Sequence, residues 1–169
     1  MNIFKSILFC LPLLLLSFAN PFSEKANDNT ILNLSVPTKS AKPGETVCLD
    51  VIAGEFNQIV SMQYTMQWDK KVLKYKSVEN FQVPALNKTN FGERIVDEGK
   101  LTFSWYDPNV RGITLKPGTS LYQVCFDVVG ESGSKAFFQF TDHPTVTEIM
   151  QANGTFLDLN WTSGKVMVK

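Results

Sequence analysis

From Val60 to Trp68 the apolar residues Val60, Met62, Tyr64, Met66 and Trp68 alternate with Ser61, Gln63, Thr65 and Gln67. A period of two is that of a β-strand with one buried face, and a helix would not keep it. The same period sets Leu101, Phe103 and Trp105 against Lys100, Thr102, Ser104 and Tyr106. It also marks Val47, Leu49 and Val51, and again Tyr122, Val124, Phe126 and Val128. Shorter strand candidates are 31–36, 73–78, 136–140 and 165–168. Turn-forming residues separate these runs: Lys42-Pro43-Gly44-Glu45, Asp107-Pro108-Asn109, Lys116-Pro117-Gly118 and the segment 130–133. Strands punctuated in this way predict an all-β sandwich. No run of ten or more residues keeps helical spacing, and 69–73 has room for a single helical turn. The stretch 79–99 has no clear period and reads as an excursion from the sandwich, either a functional loop or an insertion with its own packing.

Charge and length narrow the class. The start MNIFK, the apolar run 7–16 and the small residues of Ser17-Phe18-Ala19 have the three-part pattern of a signal peptide. The apolar run is too short for a membrane span, which needs about 20 apolar residues. We therefore expect residues 1–19 to be a signal peptide, 20–30 a polar N-terminal segment, and 31–169 one domain of a secreted or cell-surface protein. Cys10 offers a lipoprotein alternative, for which Leu11-Pro12 would be an awkward start of the mature chain. Acidic and basic residues balance, 16 against 16. A near-neutral surface argues against a nucleic-acid partner, whose affinity comes largely from neutralised phosphates.

Beyond the signal segment only Cys48 and Cys125 remain, and an even pair in an oxidising compartment reads first as a disulfide. They occupy near-identical pentads, Val47-Cys48-Leu49-Asp50-Val51 and Val124-Cys125-Phe126-Asp127-Val128, so both sulfurs point away from the apolar face of their strands. If those strands are neighbours, a cross-strand bridge is within reach. No CxxC spacing, EF-hand loop or histidine cluster calls for a metal or cofactor. His143 is the only histidine, and no G-x-S-x-G elbow accompanies it. The carboxylates Asp97, Glu98, Asp107, Asp127 and Glu148 include no pair that the sequence singles out for glycoside hydrolysis. No catalytic residues are expected. Trp68 and Trp105 fall in the apolar phase of their strands and belong to the core. Tyr106, in phase with Thr102 and Ser104, and Trp161 are the candidates for a sugar-stacking platform. Four N-x-[ST] sequons occur, at Asn33, Asn87, Asn153 and Asn160.

The order of motifs resembles a cohesin domain. The resemblance rests on Pro43-Gly44-Glu45-Thr46-Val47 entering a strand, the long alternating strand ending in Trp68-Asp69, Val72-Leu73-Lys74-Tyr75, the strand from Gly99 to Trp105, and Lys116-Pro117-Gly118 before 121–129. It spans about Ile31 to Val168. The resemblance implies a nine-stranded jelly-roll β-sandwich of two antiparallel sheets, in which the second and seventh strands, here carrying Cys48 and Cys125, are neighbours. It also implies a non-catalytic module that binds dockerins through the sheet of the third, fifth, sixth and eighth strands, in polysaccharide degradation or cell-surface assembly. Carried over position by position, the expected partner-binding residues are Ser61, Gln63, Thr65, Gln67, Thr102, Ser104 and Tyr106. Members of the family often present Asp or Asn where this chain has Ser61 and Gln63. The alternative is direct binding of polysaccharide through Tyr106 and Trp161.

Overall fold

The computed structural model describes residues 30–169, so the expected signal peptide and the segment up to residue 29 lie outside the described residues. Fourteen strand segments follow one another: β1 (Ile31–Ser35), β2 (Lys39–Ala41), β3 (Thr46–Ala53), β4 (Phe56–Gln67), β5 (Leu73–Glu79), β6 (Phe91–Gly92), β7 (Lys100–Tyr106), β8 (Ile113–Leu115), β9 (Ser120–Val128), β10 (Lys135–Phe137), β11 (Gln139–Thr141), β12 (Glu148–Gln151), β13 (Asp158–Thr162) and β14 (Lys165–Val168). The expected strand 136–140 is interrupted once, giving the pair β10 and β11, and β2 and β13, which the period did not mark, pair off in sequence with the expected β1 and β14. With each pair counted once and the short additions β8 and β12 set aside, the nine-stranded sandwich is recovered. Among the described residues no helix is long and apolar enough to cross a membrane.

The strands form a five-stranded sheet in the order β13-β1-β3-β9-β5 and a six-stranded sheet in the order β11-β4-β7-β6, with β12 and β8 also paired to β4. A small ladder, β10-β14-β2, joins the interrupted strands. Pairing is antiparallel except between β1 and β13 and between β14 and β2.

The two-residue period of the sequence becomes the inner face. Met62, Tyr64, Met66, Leu101, Phe103 and Trp105 from one sheet meet Leu49, Val51, Tyr122, Val124 and Phe126 from the other, all buried. A stack of rings fills the gap, with Tyr64 on Phe103 at 4.7 Å and Phe91 edge-on to Tyr122 at 4.9 Å. The hydroxyls of Tyr64 and Tyr122 meet across the two sheets at 2.8 Å, and the Tyr122 hydroxyl donates to Met66 Sδ at 3.2 Å. This chain of contacts satisfies the two fully buried hydroxyls.

Two expectations change. The stretch 79–99 is not an excursion: it holds two 3-10 turns around β6, which pairs with β7, and it sends Val83, Leu86 and Phe91 into the common core. Trp105 Nε1 also donates to the Pro84 carbonyl at 2.9 Å, tying the segment down. Its sequence lacks a period because its apolar residues sit on turns. Residues 69–73 do make a single turn, with the amides of Val72 and Leu73 donating to the Asp69 carbonyl. The chain returns to β7 through Gly99 at φ 78°, where a side-chain carbon would lie 2.6 Å from the Trp68 carbonyl oxygen.

Cys48 and Cys125 are direct partners in the β3–β9 ladder and are joined by a disulfide closing a separation of 77 residues. Both sulfurs face outward from the sandwich as the pentads require. Cys125 is nonetheless buried, because β9 runs between β3 and β5 and the Glu79 side chain of β5 lies against both sulfurs.

Candidate functional site

Because β4, β7, β11 and β12 are in register, the outward residues of the six-stranded sheet form rows. Met150, Ser61 and Tyr106 make one row; Glu148, Gln63 and Ser104 the next; Thr141, Thr65 and Thr102 the third; Gln139, Gln67 and Lys100 the fourth. The sequence-derived residues of both strands thus share one surface. Tyr106 is 67% exposed at the strand end, and Gln67 and Ser104 are also exposed. The side chains of Ser61, Gln63, Gln67, Ser104 and Tyr106 make no hydrogen bond among the described residues. Thr102 Oγ1 is in weak reach of the Gly92 carbonyl at 3.4 Å.

Thr65 departs from the expected open surface. It points outward but is fully buried, because the connection from β11 to β12 folds over it: Thr145 N donates to Thr65 Oγ1 at 3.0 Å, and Thr65 Oγ1 lies 3.2 Å from the Thr145 carbonyl. That connection carries His143, whose peptide bond to Pro144 is cis. Sequence reasoning also missed β12, which adds Glu148 and Met150 to the face. Its only local signal is the isolated buried Ile149, too short a run to establish a period.

The remaining candidates do not assemble into chemistry. Cys48, Glu79 and Cys125 are the one group of potential metal ligands among the described residues, and both sulfurs are consumed by the disulfide. Asp107 is buried and its carboxylate accepts the amides of Asn109, Arg111 and Gly112. These bonds hold its carboxyl below the ordinary value, the one from Asn109 being the strongest influence. Its role is to close the turn after β7. Asp127 is likewise held low by Thr46 and Lys76. The two sugar-platform candidates are exposed but lie on different sheets, Tyr106 on β7 and Trp161 on β13, and their rings make no contact. Trp68 and Trp105 are buried in the core. A polar cleft of about 540 Å³ at one end of the sandwich contains none of the expected residues, and its Gln151 and Thr114 side chains are engaged by Asn57.

Comparison with known proteins converges on one family. The model described as Cohesin domain matches residues 32–161. No curated protein sequence matches. Among solved structures, the sixth cohesin of scaffoldin B from Acetivibrio cellulolyticus, in complex with a Cel5 dockerin mutant, superposes with a TM-score of 0.69 at 22% identity, over 83% of this chain and 100% of that chain. A type I cohesin–dockerin complex of Clostridium thermocellum containing the OlpA cohesin gives 0.69 at 12% identity, over 82% and 99%. A non-cellulosomal cohesin from the archaeon Archaeoglobus fulgidus gives 0.63 at 16% identity, over 82% and 91%. These likenesses concern the fold.

Proposed function

The chain belongs to the cohesin domain family, and from that membership we propose that it is an exported, non-catalytic module that binds a dockerin-like protein through the outer face of β4 and β7. The observation that carries this reading is the family match over residues 32–161, together with the dockerin complexes in which structurally similar cohesins have been solved. The residues proposed for contact are Ser61, Gln63, Gln67, Thr102, Ser104 and Tyr106, with Thr65 acting beneath the 141–147 connection. The uncommitted hydrogen-bonding groups of Ser61, Gln63, Gln67, Ser104 and Tyr106 sit on a rigid sheet, so a partner replaces water there without first breaking internal bonds. Residues 1–19 as a signal peptide would place the domain outside the cell or at its surface, in the setting of polysaccharide degradation or surface assembly.

Immobilised protein exposed to the source's secreted proteins should retain a protein carrying a dockerin-type segment, and Gln63→Arg combined with Ser104→Arg should release it. Direct polysaccharide binding through Tyr106 and Trp161 is the competing reading. Retention on a glycan array with no protein partner would decide in its favour.

A further inference from the structure

The four sequons Asn33, Asn87, Asn153 and Asn160 all lie in the described domain, and the fold treats them unequally. Asn33 and Asn160 are direct partners in the β1–β13 ladder, where Asn160 Nδ2 donates to Asn33 Oδ1 at 2.7 Å. The backbone of both sequons is held as well, Gly54 N donating to the Asn33 carbonyl at 2.8 Å and Val36 N to the Thr162 carbonyl at 3.0 Å. Asn87 caps the 3-10 turn that follows it. Its Nδ2 donates to the Ala85 carbonyl at 3.1 Å, and its Oδ1 accepts both the amide and the hydroxyl of Thr89, the third residue of its sequon. Asn153 differs in each respect. It stands on the tight turn that leads from β12 back to Phe156, the partner of Met150. Two bonds close that turn, Gly154 N to the Gln151 carbonyl and Gln151 N to the Thr155 carbonyl, both at 2.9 Å. Ala152 N pins its base to the Gln58 carbonyl at 2.8 Å. Residues 152–156 are nevertheless all exposed. Asn153 Oδ1 accepts the Thr155 amide at 2.9 Å, while Asn153 Nδ2 and Thr155 Oγ1 have no hydrogen bond among the described residues.

We propose that Asn153 is the N-glycosylation site of the folded domain, and that the fold closes Asn33, Asn87 and Asn160 to the same reaction. An acceptor segment has to be an open surface loop that offers the transferase both the asparagine amide nitrogen and the hydroxyl two residues on. Of the four, Asn153 alone is on an exposed turn with both groups uncommitted: Asn33 and Asn160 are inside paired strands, and at Asn87 both the amide nitrogen and the threonine hydroxyl are spent on the cap. The donor is a lipid-pyrophosphate-linked oligosaccharide. Asn153 Nδ2 forms a bond to the anomeric carbon of its first sugar, and the bond from that carbon to the pyrophosphate oxygen breaks. The electron pair of that bond leaves with the lipid pyrophosphate, and the amide proton passes to a base of the transferase. This modification rests on the reading of the chain as exported and is independent of what docks on β4 and β7.

Glycopeptide mass spectrometry of the protein taken from its source's secreted fraction should find sugar on the peptide that contains Asn153. Protein that is secreted but bare at Asn153 overturns the site and leaves export standing, whereas protein held inside the cell overturns export and the site with it. The part played by the fold is read in vitro. Folded, sugar-free protein given an oligosaccharyltransferase and a lipid-linked oligosaccharide should be modified at Asn153, while the reduced, alkylated and protease-digested chain should accept sugar at the other sequons too. Thr155→Ala should abolish transfer to Asn153 and leave the urea midpoint unchanged, because the turn uses the Thr155 amide and not its hydroxyl. Modification of the folded protein at Asn33, Asn87 or Asn160 as fast as at Asn153, undiminished transfer to Thr155→Ala, or a folded protein bare at Asn153 beside a digest that accepts sugar there would each overturn the proposal.

Discussion

On the outer face of the five-stranded sheet, Asp50 accepts from Gln123 at 2.7 Å, Ser120 at 3.0 Å and Lys39 at 3.1 Å. Nearby, Lys76 bridges Thr46 and Asp127, and the disulfide crosses between β3 and β9. On the outer face of the six-stranded sheet, Ser61, Gln63, Gln67, Ser104 and Tyr106 offer the same kinds of groups and commit none of their side chains to each other. Both faces are polar in sequence, and both belong to strands with the same period. A face whose donors and acceptors are paired must break those bonds before it can serve a partner. A face whose groups bond only to water exchanges one set of bonds for another at little cost. The first face contributes to stability, and the second is free to contribute to recognition.

Removing the disulfide tests the first half of that contrast most severely. Cys48→Ala with Cys125→Ala should cost on the order of 4 kcal/mol by the chain-entropy model for a loop of 77 residues. Urea unfolding would measure the loss, and partner binding at the opposite face should survive wherever the variant is folded. Next in size comes the bond between the two layers. Tyr122→Phe leaves the buried Tyr64 hydroxyl without its oxygen partner and should cost about 1–3 kcal/mol. Tyr106→Phe, the equivalent loss on the open face, should leave the unfolding midpoint where it was.

Asp50 supplies a smaller, pH-dependent effect. Burial raises its carboxyl, but the hydrogen bonds from Gln123, Lys39 and Ser120 outweigh burial and hold it below its ordinary value of 3.8. A carboxyl lowered by folding contributes stability above its unfolded value and loses that contribution as pH falls through the folded one. Unfolding free energy should therefore fall as acidification passes below pH 3.8, and Asp50→Asn should flatten that part of the curve. At neutral pH the same substitution should cost about 1 kcal/mol, since the Lys39–Asp50 pair is partly exposed. Stability of Asp50→Asn that still tracked wild type through this acid range would show that the network is not what holds this face.

What could be read in the sequence depended on whether packing is local. The alternation in β4 and β7 names inward and outward residues without reference to the rest of the chain, and the cysteine pentads name an outward side for the sulfurs. The burial of Thr65 is invisible to that reasoning, because its cause is a connection some 80 residues downstream, whose amide at Thr145 donates to it. The core role of 79–99 was hidden for a related reason: Phe91 and Leu86 reach the interior from turns and a two-residue strand, which carry no period. Chemistry was least legible where it depends on proximity. Asp50 looks like an ordinary surface residue until β9 brings Ser120 and Gln123 beside it, and Trp161 looks like a lone aromatic until β11 brings the Phe140 ring within 6.1 Å of its own.

The smallest stability effect gives the sharpest comparison of the two faces. Gln63→Arg with Ser104→Arg places two cations on side chains that have no bonding partner to lose, and surface changes of that kind usually stay within about 0.5 kcal/mol. Matched substitution on the other face, Gln123→Arg with Ser120→Arg, removes two of the donors to Asp50 and separates Asn80 from Gln123. The chemistry of the substitution is the same, one glutamine and one serine replaced on a sheet exterior. Only the prior commitment of the residues differs. The open-face variant should unfold at the wild-type urea midpoint while losing the partner. The closed-face variant should unfold earlier while retaining it. Equal shifts in the two midpoints would mean that the hydrogen bonds around Asp50 merely replace water, and the division of labour between the faces would fail.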